Sequence, residues 1–253
     1  MRQLILTLLL FALAGSMRAD VRGAWTATAA DESLSISLWQ NDWQSGRTIP
    51  LHAFAGLAEG QISAVSETAV HFTLTREAGT LRFEGSFKLR EGAGHFTFAP
   101  NAAYLEALRK LGLNPADMQT HDGSDDERLF RLAVNDVSSD YIRAIQQAGY
   151  HESLEEIMRM RRSDVTPAVI AELRDAMQSP LQAEEVVRLV RKGVTPAFIR
   201  QMRSVGFASL EPEDLVYLHR NGITPADAKA ALQAAAHPLS PREVARLLRY
   251  RNR

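Results

Sequence analysis

The residues best placed to do chemistry are four arginines that recur at a fixed step of 29 residues: Arg162, Arg191, Arg220 and Arg249. A guanidinium group is a planar fork of N–H donors that matches a carboxylate or a phosphate. If the segments that carry these arginines stack in register, the side chains line one edge as a positive stripe. The spacing therefore predicts an anion-binding edge.

Acidic residues follow the same step and support a competing interpretation. Glu155, Glu184 and Glu213 recur at the starts of the same predicted helices. Acids at the start of a helix and arginines at its end complement the helix dipole. Neighbouring units can also pair them as surface ion pairs, each of which contributes little. Under this interpretation the arginines support the fold and bind no partner.

Motifs for catalysis and for cofactor binding are absent from the sequence. The 253 residues contain no cysteine, which excludes disulfides, thiol nucleophiles and thiolate metal sites. There is no G-x-S-x-G nucleophile elbow and no G-x-x-x-x-G-K phosphate loop. We therefore predict a protein that is not an enzyme and has no cofactor and no metal site.

Two weaker metal candidates have simpler interpretations. His71 and His95 fall on the exposed faces of predicted strands that are near neighbours, where histidines are usually ordinary surface residues. The acidic segment 121–127 carries the carboxylates that Ca²⁺ prefers, but it lacks the ligand order of an EF-hand. A solvated loop is the simpler interpretation, and calcium binding stays open.

The N-terminal segment predicts export. Arg2 precedes the run Leu4–Ala14, which is apolar except for Thr7 and is too short to span a bilayer as a helix. Small residues follow up to Ala19, as in a cleaved secretory signal. We expect residues 1–19 to be a signal peptide and the mature protein to be periplasmic or secreted. An uncleaved anchor or a buried N-terminal helix is the alternative.

Residues 20–99 read as a small antiparallel β domain. Apolar residues alternate with polar ones through 70–75 and 81–88, so each strand has one buried and one exposed face. Turns are predicted at Glu77–Gly79 and at Glu91–Gly94, and an earlier hairpin is predicted around Asp31-Glu32. This domain is small for a stable hydrophobic core of its own, so we expect it to pack against the helical segment that follows it. Its tryptophans can line a ligand groove or pack in the core: Trp25, Trp39 and Trp43.

Residues 100–253 read as an array of helix pairs that repeat about every 29 residues. Val165-Thr166-Pro167 recurs as Val194-Thr195-Pro196 and as Ile223-Thr224-Pro225. The units are placed near 101–136, 137–164, 165–193, 194–222 and 223–253. The fold class is therefore α+β, a small antiparallel β-sheet domain followed by a solenoid-like all-α array.

The chemistry of one unit explains its boundaries. The threonine caps the first helix and the proline suits its first turn, where a missing N–H costs nothing. Gly206 is expected to end the first helix in the left-handed conformation, and Gly193 and Gly222 are expected to stop the second helices and start the next unit. Each helix is too short to be stable alone, so stability must come from stacking. The residues expected to be buried are Phe198, Ile199, Met202, Leu215 and Leu218.

The repeat resembles one found in extracytoplasmic parts of bacterial proteins, most of them uncharacterised and some identified as antirepressor-type membrane metallopeptidases. The resemblance covers residues 101–253. Such a peptidase needs a helical H-E-x-x-H zinc motif, and here His151-Glu152 is followed by Glu155 in place of the second histidine. The resemblance thus implies the accessory repeat without the peptidase.

These observations favour a non-catalytic exported interaction or scaffold module with a protein partner. Two alternatives stay open: an envelope protein that binds an anionic ligand through the arginine ladder, and an exported enzyme with a site at the domain junction. The formal net charge of -1 does not favour nucleic acid. No transmembrane segment is expected after signal cleavage, and the oligomeric state is left open.

Export can be tested directly. N-terminal sequencing of the protein made in its native host should find a mature start between Gly15 and Val21, because signal peptidase cleaves after the small residues. A soluble protein that begins at Met1 would contradict the prediction.

Overall fold

The computed structural model describes residues 21–41, 43–207, 210–235 and 237–251, without the side chains of residues 249–251. The predicted signal peptide, residues 1–19, lies outside them. The described chain begins with an antiparallel sheet in the order β3-β2-β1-β7-β6-β5-β4. Its strands are β1 (Val21–Ala29), β2 (Ser33–Gln40), β3 (Trp43–Pro50), β4 (Phe54–Ala55), β5 (Thr68–Arg76), β6 (Gly79–Lys88) and β7 (Glu91–Pro100). A one-turn helix, α1 (Glu59–Ile62), precedes β5.

Strand alternation and two of the predicted turns are confirmed. Val70, Phe72 and Leu74 are buried, whereas the residues between them face outward. The hairpin around Asp31-Glu32 pairs β1 with β2, and the turn after Arg76 joins β5 to β6. β3 was not among the predicted strands.

The turn predicted at Glu91–Gly94 is wrong, because the chain reverses two residues earlier. Leu89 and Arg90 take the left-handed conformation at φ 50° and 70°, and β7 begins at Glu91. Such angles are uncommon outside glycine and cost energy. Hydrogen bonds from distant parts of the chain offset this cost: Arg90 Nε donates to the Ala29 carbonyl at 3.1 Å, and Nη1 to Glu59 at 2.8 Å.

The glycines of β7 allow neighbouring strands to approach closely where the sheet curls. Trp25 lies opposite Gly94, and Gly94 lies opposite Gly85 on the next strand. A β-carbon on Gly94 would lie 2.0 Å from the Glu84 carbonyl oxygen, so the two backbones approach too closely for any side chain. The indole Nε1 of Trp25 donates to the same carbonyl at 3.2 Å. Its ring packs with Phe72, Phe83 and Phe87 at centroid distances of 5.4, 6.1 and 5.6 Å.

This close approach predicts the effect of one methyl group. Gly94→Ala should lower the free energy of unfolding by about 1–3 kcal/mol, the usual cost of overpacking. Gly46→Ala in β3 is the matched control, because its added β-carbon meets only Ser37 Oγ at 3.6 Å. Urea denaturation of both variants makes the comparison, and equal stabilities would mean that the strands have room at Gly94.

Helices follow the sheet as five pairs in the described part of the chain. The first helices of the pairs are α2 (Ala103–Lys110), α4 (Ser139–Gln147), α6 (Pro167–Met177), α8 (Pro196–Ser204) and α10 (Pro225–Ala234). The second helices are α3 (Asp125–Val134), α5 (Leu154–Arg162), α7 (Ala183–Arg191), α9 (Pro212–Arg220) and α11 (Pro241–Arg251). Among the residues described, no helix is long and apolar enough to cross a membrane.

The predicted caps and stops are confirmed. Thr166, Thr195 and Thr224 each accept a hydrogen bond from the backbone N–H three residues later. Gly193 and Gly222 end α7 and α9 with φ of 70° and 66°, and Gly206 follows α8 with a positive but larger φ of 124°. The next residue then bonds back across the stop, as Val194 N–H does to the Leu189 carbonyl at 3.0 Å and Ile223 N–H to the Leu218 carbonyl at 3.1 Å. The same geometry at every unit boundary fixes the repeat length.

Equivalent helices pack against each other in two rows, α5-α7-α9-α11 and α6-α8-α10. The side chains expected in this core are buried at Ile199, Met202, Leu215 and Leu218. Phe198 is the exception, because it lies at the rim in the first turn of α8. It is half-buried, with its ring edge-on to the His219 ring at 5.3 Å.

Helix α3 joins the sheet to the array, as expected for a β domain too small to stand alone. Phe130 of α3 stacks on Phe96 at 5.4 Å and contacts Phe98 and Trp43 at 5.5 and 5.2 Å. The buried side chains of the sheet and the array form one continuous hydrophobic core.

The array offers an internally matched test of stacking. Leu218 is 0% exposed, whereas Leu247, one repeat later, is 51% exposed. Leu218→Ala should lower the free energy of unfolding by about 2–5 kcal/mol because it opens a cavity. Leu247→Ala should change it by less than about 0.5 kcal/mol. Similar losses for both variants, measured by thermal and urea unfolding, would contradict the stacking register.

Candidate functional site

The predicted arginine ladder occupies one equivalent position in successive units. Arg162, Arg191 and Arg220 are the last residues of α5, α7 and α9. All three are exposed. Because these helices pack side by side and end in the same way, the three arginines lie along one edge of the array. The fourth, Arg249, has its side chain outside the described residues.

The ion pairs of the array are made by other arginines. Arg188 Nη2 lies 2.7 Å from Glu184 and its Nη1 lies 2.6 Å from Glu213 of the next unit. Arg159 pairs with Glu156 at 3.1 Å. The carboxylates that start the second helices are thus engaged by arginines one turn before the ladder.

The ladder arginines themselves make no side-chain hydrogen bond or ion pair with any residue that the structure describes. Arg162 contributes only its backbone carbonyl, which accepts from Arg47 Nη1 at 3.3 Å. The guanidinium groups of Arg162, Arg191 and Arg220 therefore keep their donors free for a ligand.

A groove of about 280 Å³ lies between α5 and α7 beside the middle of this edge. It is lined by the cations Arg159, Arg188, Arg191 and Lys192, by the acid Glu184 and by Val187. Hydrogen bonds from Arg188 to Glu184 and Glu213 raise the pKa of its guanidinium group. Because Arg159 and Arg188 are already paired with carboxylates, Arg191 and Lys192 are the cations of this groove without a carboxylate partner among the described residues. The planar fork of Arg191 suits an anion with two oxygens.

A second pocket, here called the junction pocket, has a volume of about 170 Å³ and lies where the sheet meets α3. The β2–β3 hairpin contributes Gln40, Asn41 and Trp43 to its wall. The opposite wall comes from segment 121–127 and from Arg131 of α3. The sheet and the helical array both contribute residues to this pocket.

Segment 121–127 uses its carboxylates internally. Asp122 accepts from the Ser124 N–H at 2.7 Å, and hydrogen bonding by Ser124 lowers the pKa of the Asp122 carboxyl. Glu127 is buried, where it accepts from Arg131 Nη2 at 2.5 Å and from the Asp122 N–H at 3.0 Å. Asp125 pairs with Arg128 at 3.1 Å. Within the described ranges, no three His, Asp or Glu side chains are grouped so that they could hold a metal ion.

The remaining candidates are dispersed. His71 and His95 are both exposed and lie on either side of Glu84, so a whole strand separates them. Trp25 belongs to the core of the sheet, and Trp39 is half-buried. Of the three tryptophans, Trp43 lines the junction pocket.

One set of contacts was not predicted: tyrosine hydroxyls that link successive units. Tyr104 donates to the Val137 carbonyl at 2.6 Å, and Tyr141 donates to the Val165 carbonyl at 2.9 Å. Tyr150 donates to the Leu181 carbonyl at 2.8 Å. Burial raises the pKa of the Tyr104 and Tyr141 hydroxyls. The available signal was the position of Tyr104 and Tyr141 in the apolar stripe of a first helix, since a buried tyrosine needs a partner for its hydroxyl.

Comparison of the chain with protein-family models, with curated proteins and with solved structures finds no match. The arginine edge and the junction pocket are therefore the two features of the described structure that indicate a function.

Proposed function

We propose that the protein is an exported, non-catalytic interaction module. Its helical array binds an acidic segment of a partner protein along the edge formed by Arg162, Arg191 and Arg220. The observation that carries this proposal is that these arginines are in register, exposed and without an ion pair among the described residues. Export is supported by the pattern of residues 1–19 alone.

The spacing of the edge indicates the shape of the partner. Packed helices lie about 8–10 Å apart, so three successive arginines extend over about 20 Å. An extended peptide rises about 3.3 Å per residue, so six or seven of its residues span the edge. Flexible arginine side chains can then reach carboxylates along such a segment, and the groove between α5 and α7 adds the charge of Lys192.

Electrostatic binding of this kind should be local and salt-dependent. The chain as a whole has a formal net charge of -1, so attraction arises from the edge and not from the total charge. Exposed charges separated by more than about 8–10 Å are largely screened at physiological salt. The partner must therefore come into direct contact with the arginines.

Binding is a better proposal than catalysis at the junction pocket. Hydrogen bonding lowers the pKa of Asp122, which makes it a weak candidate for a general acid near neutral pH. Glu127 is held by Arg131 and by the backbone. Hydrogen bonds thus hold both carboxylates of this pocket in place.

Two double variants test the arginine edge. Arg191→Gln with Arg220→Gln removes two ladder charges, and Arg143→Gln with Arg200→Gln removes two exposed charges that pair locally with Asp140 and Asp175. Poly-L-glutamate serves as the acidic probe, and binding is measured by calorimetry at low and high salt. The ladder variant should bind about tenfold or more weakly and lose most of its salt dependence, since each lost charged contact costs at least about 1 kcal/mol. The control should bind like the unmodified protein.

The arginines can also have a purely structural role, which predicts a different result. Arginines at helix ends also stabilise the helix dipole, by about 0.3–1 kcal/mol each. If the ladder variant melts at a lower temperature and still binds poly-L-glutamate with unchanged affinity, the arginines serve the fold alone and the proposal is wrong.

A further inference from the structure

We propose that the junction pocket binds a single sugar ring that is neutral or carries an amine. This site is separate from the arginine edge, and the inference does not depend on the proposed function. The pocket has a volume of about 170 Å³, which is enough for a ligand with several polar groups, because about 10–15 Å³ of the same measure already holds one water molecule.

The polar groups of the pocket have unused hydrogen-bonding capacity. The side chains of Gln40, Asn41 and His121 line it and make no hydrogen bond among the described residues. Arg131 Nε is buried and also has no partner in the described part of the chain. Amides and a neutral imidazole each offer both donors and acceptors. A ligand with several hydroxyl groups can satisfy them, because each hydroxyl donates once and accepts twice.

Trp43 supplies the apolar component of the site. The side chain is half-buried, and its ring is packed against Phe130 at 5.2 Å with the planes 66° apart, which fixes its orientation. A fixed aromatic surface is a low-entropy contact for the C–H groups of a sugar ring. The combination of one aromatic wall with several planar polar side chains suits a polyhydroxylated ring better than it suits an apolar ligand.

The charged side chains of the junction pocket determine which sugars it can bind. The pocket contains the carboxylates of Asp122 and Glu127 and the guanidinium group of Arg131. Arg131 is already paired with Glu127 at 2.5 Å, so Asp122 is, among the described residues that line the pocket, the charge left without a counter-ion. The exposed carboxylate of Asp122 repels phosphorylated and acidic sugars and attracts an ammonium group. The ligand is therefore a neutral hexose or an amino hexose.

The test uses the full mature chain and four probes: glucose, N-acetylglucosamine, glucosamine and glucuronate. Ligand-observed saturation-transfer NMR detects weak binding, and chemical shifts of the Trp43 indole report where the ligand sits. The neutral and amino sugars should bind with a Kd in the millimolar range, and glucuronate should bind at least about tenfold more weakly.

Two variants locate the site. Gln40→Ala and His121→Ala should each weaken binding about fivefold, the effect of one lost hydrogen bond. His71→Ala is the matched control, because His71 is an exposed histidine of β5 on the outer face of the sheet. All three should melt like the unmodified protein, since none of these side chains makes a hydrogen bond among the described residues.

Three results would overturn the proposal. The first is that no neutral or amino sugar gives a signal at concentrations well above the millimolar range. The second is that glucuronate binds as tightly as glucose, which would mean that Asp122 does not select against anions. The third is that His121→Ala and His71→Ala have the same effect on binding, which would place the ligand elsewhere.

Discussion

The array depends on one constraint, which is that none of its short helices can be stable alone. The second helices α5, α7 and α9 have nine residues each, below the length at which an isolated helix persists in water. Each must be covered by the next unit, so the units have to stop and restart in the same way. The left-handed residue at each stop, such as Gly193 or Asp164, imposes that regularity. Alignment of the arginines at the helix ends is a direct consequence of it.

The contact between α3 and the sheet has a similar role for the other half of the molecule. The sheet curls around Trp25, but its remaining aromatic residues need a cover. Phe130 provides it by stacking on Phe96 and holding Trp43. The same contact brings the β2–β3 hairpin beside segment 121–127, so the junction pocket is formed by the packing that joins the two parts.

Local chemistry was enough to predict much of this fold. The Thr-Pro pairs, Gly193 and Gly222 affect only the few residues around them, and strand alternation is equally local.

The predictions failed where the structure depends on interactions between residues that are far apart in the sequence. The turn at Leu89 and Arg90 depends on carbonyls near residue 30 and on Glu59. β3, with the sequence WQSGRTIP, has only two large apolar residues, Trp43 and Ile49, and lies at the edge of the sheet. The period of 29 shows that arginines recur, but it does not show that Arg188 and not Arg191 reaches the carboxylates. The junction pocket arises only when β2, β3 and α3 meet.

The hydrogen bonds that tie successive units change in kind along the array. Tyr104, Tyr141 and Tyr150 each donate a buried hydrogen bond to the following unit, and the last of these bonds ends at Leu181. Phe198 and Phe207 occupy the corresponding places two repeats after Tyr141 and Tyr150 and have no hydroxyl to donate. Beyond that point Arg203 ties its unit to the preceding one, because its guanidinium group donates to the Ala176 carbonyl at 3.2 Å and to the Met177 carbonyl. Exposed ion pairs such as Arg188–Glu213 also join the described units. Charged contacts at the surface weaken as salt is added, whereas buried hydrogen bonds between neutral groups do not. The units that follow Leu181 are therefore more sensitive to the salt concentration than those beside the sheet.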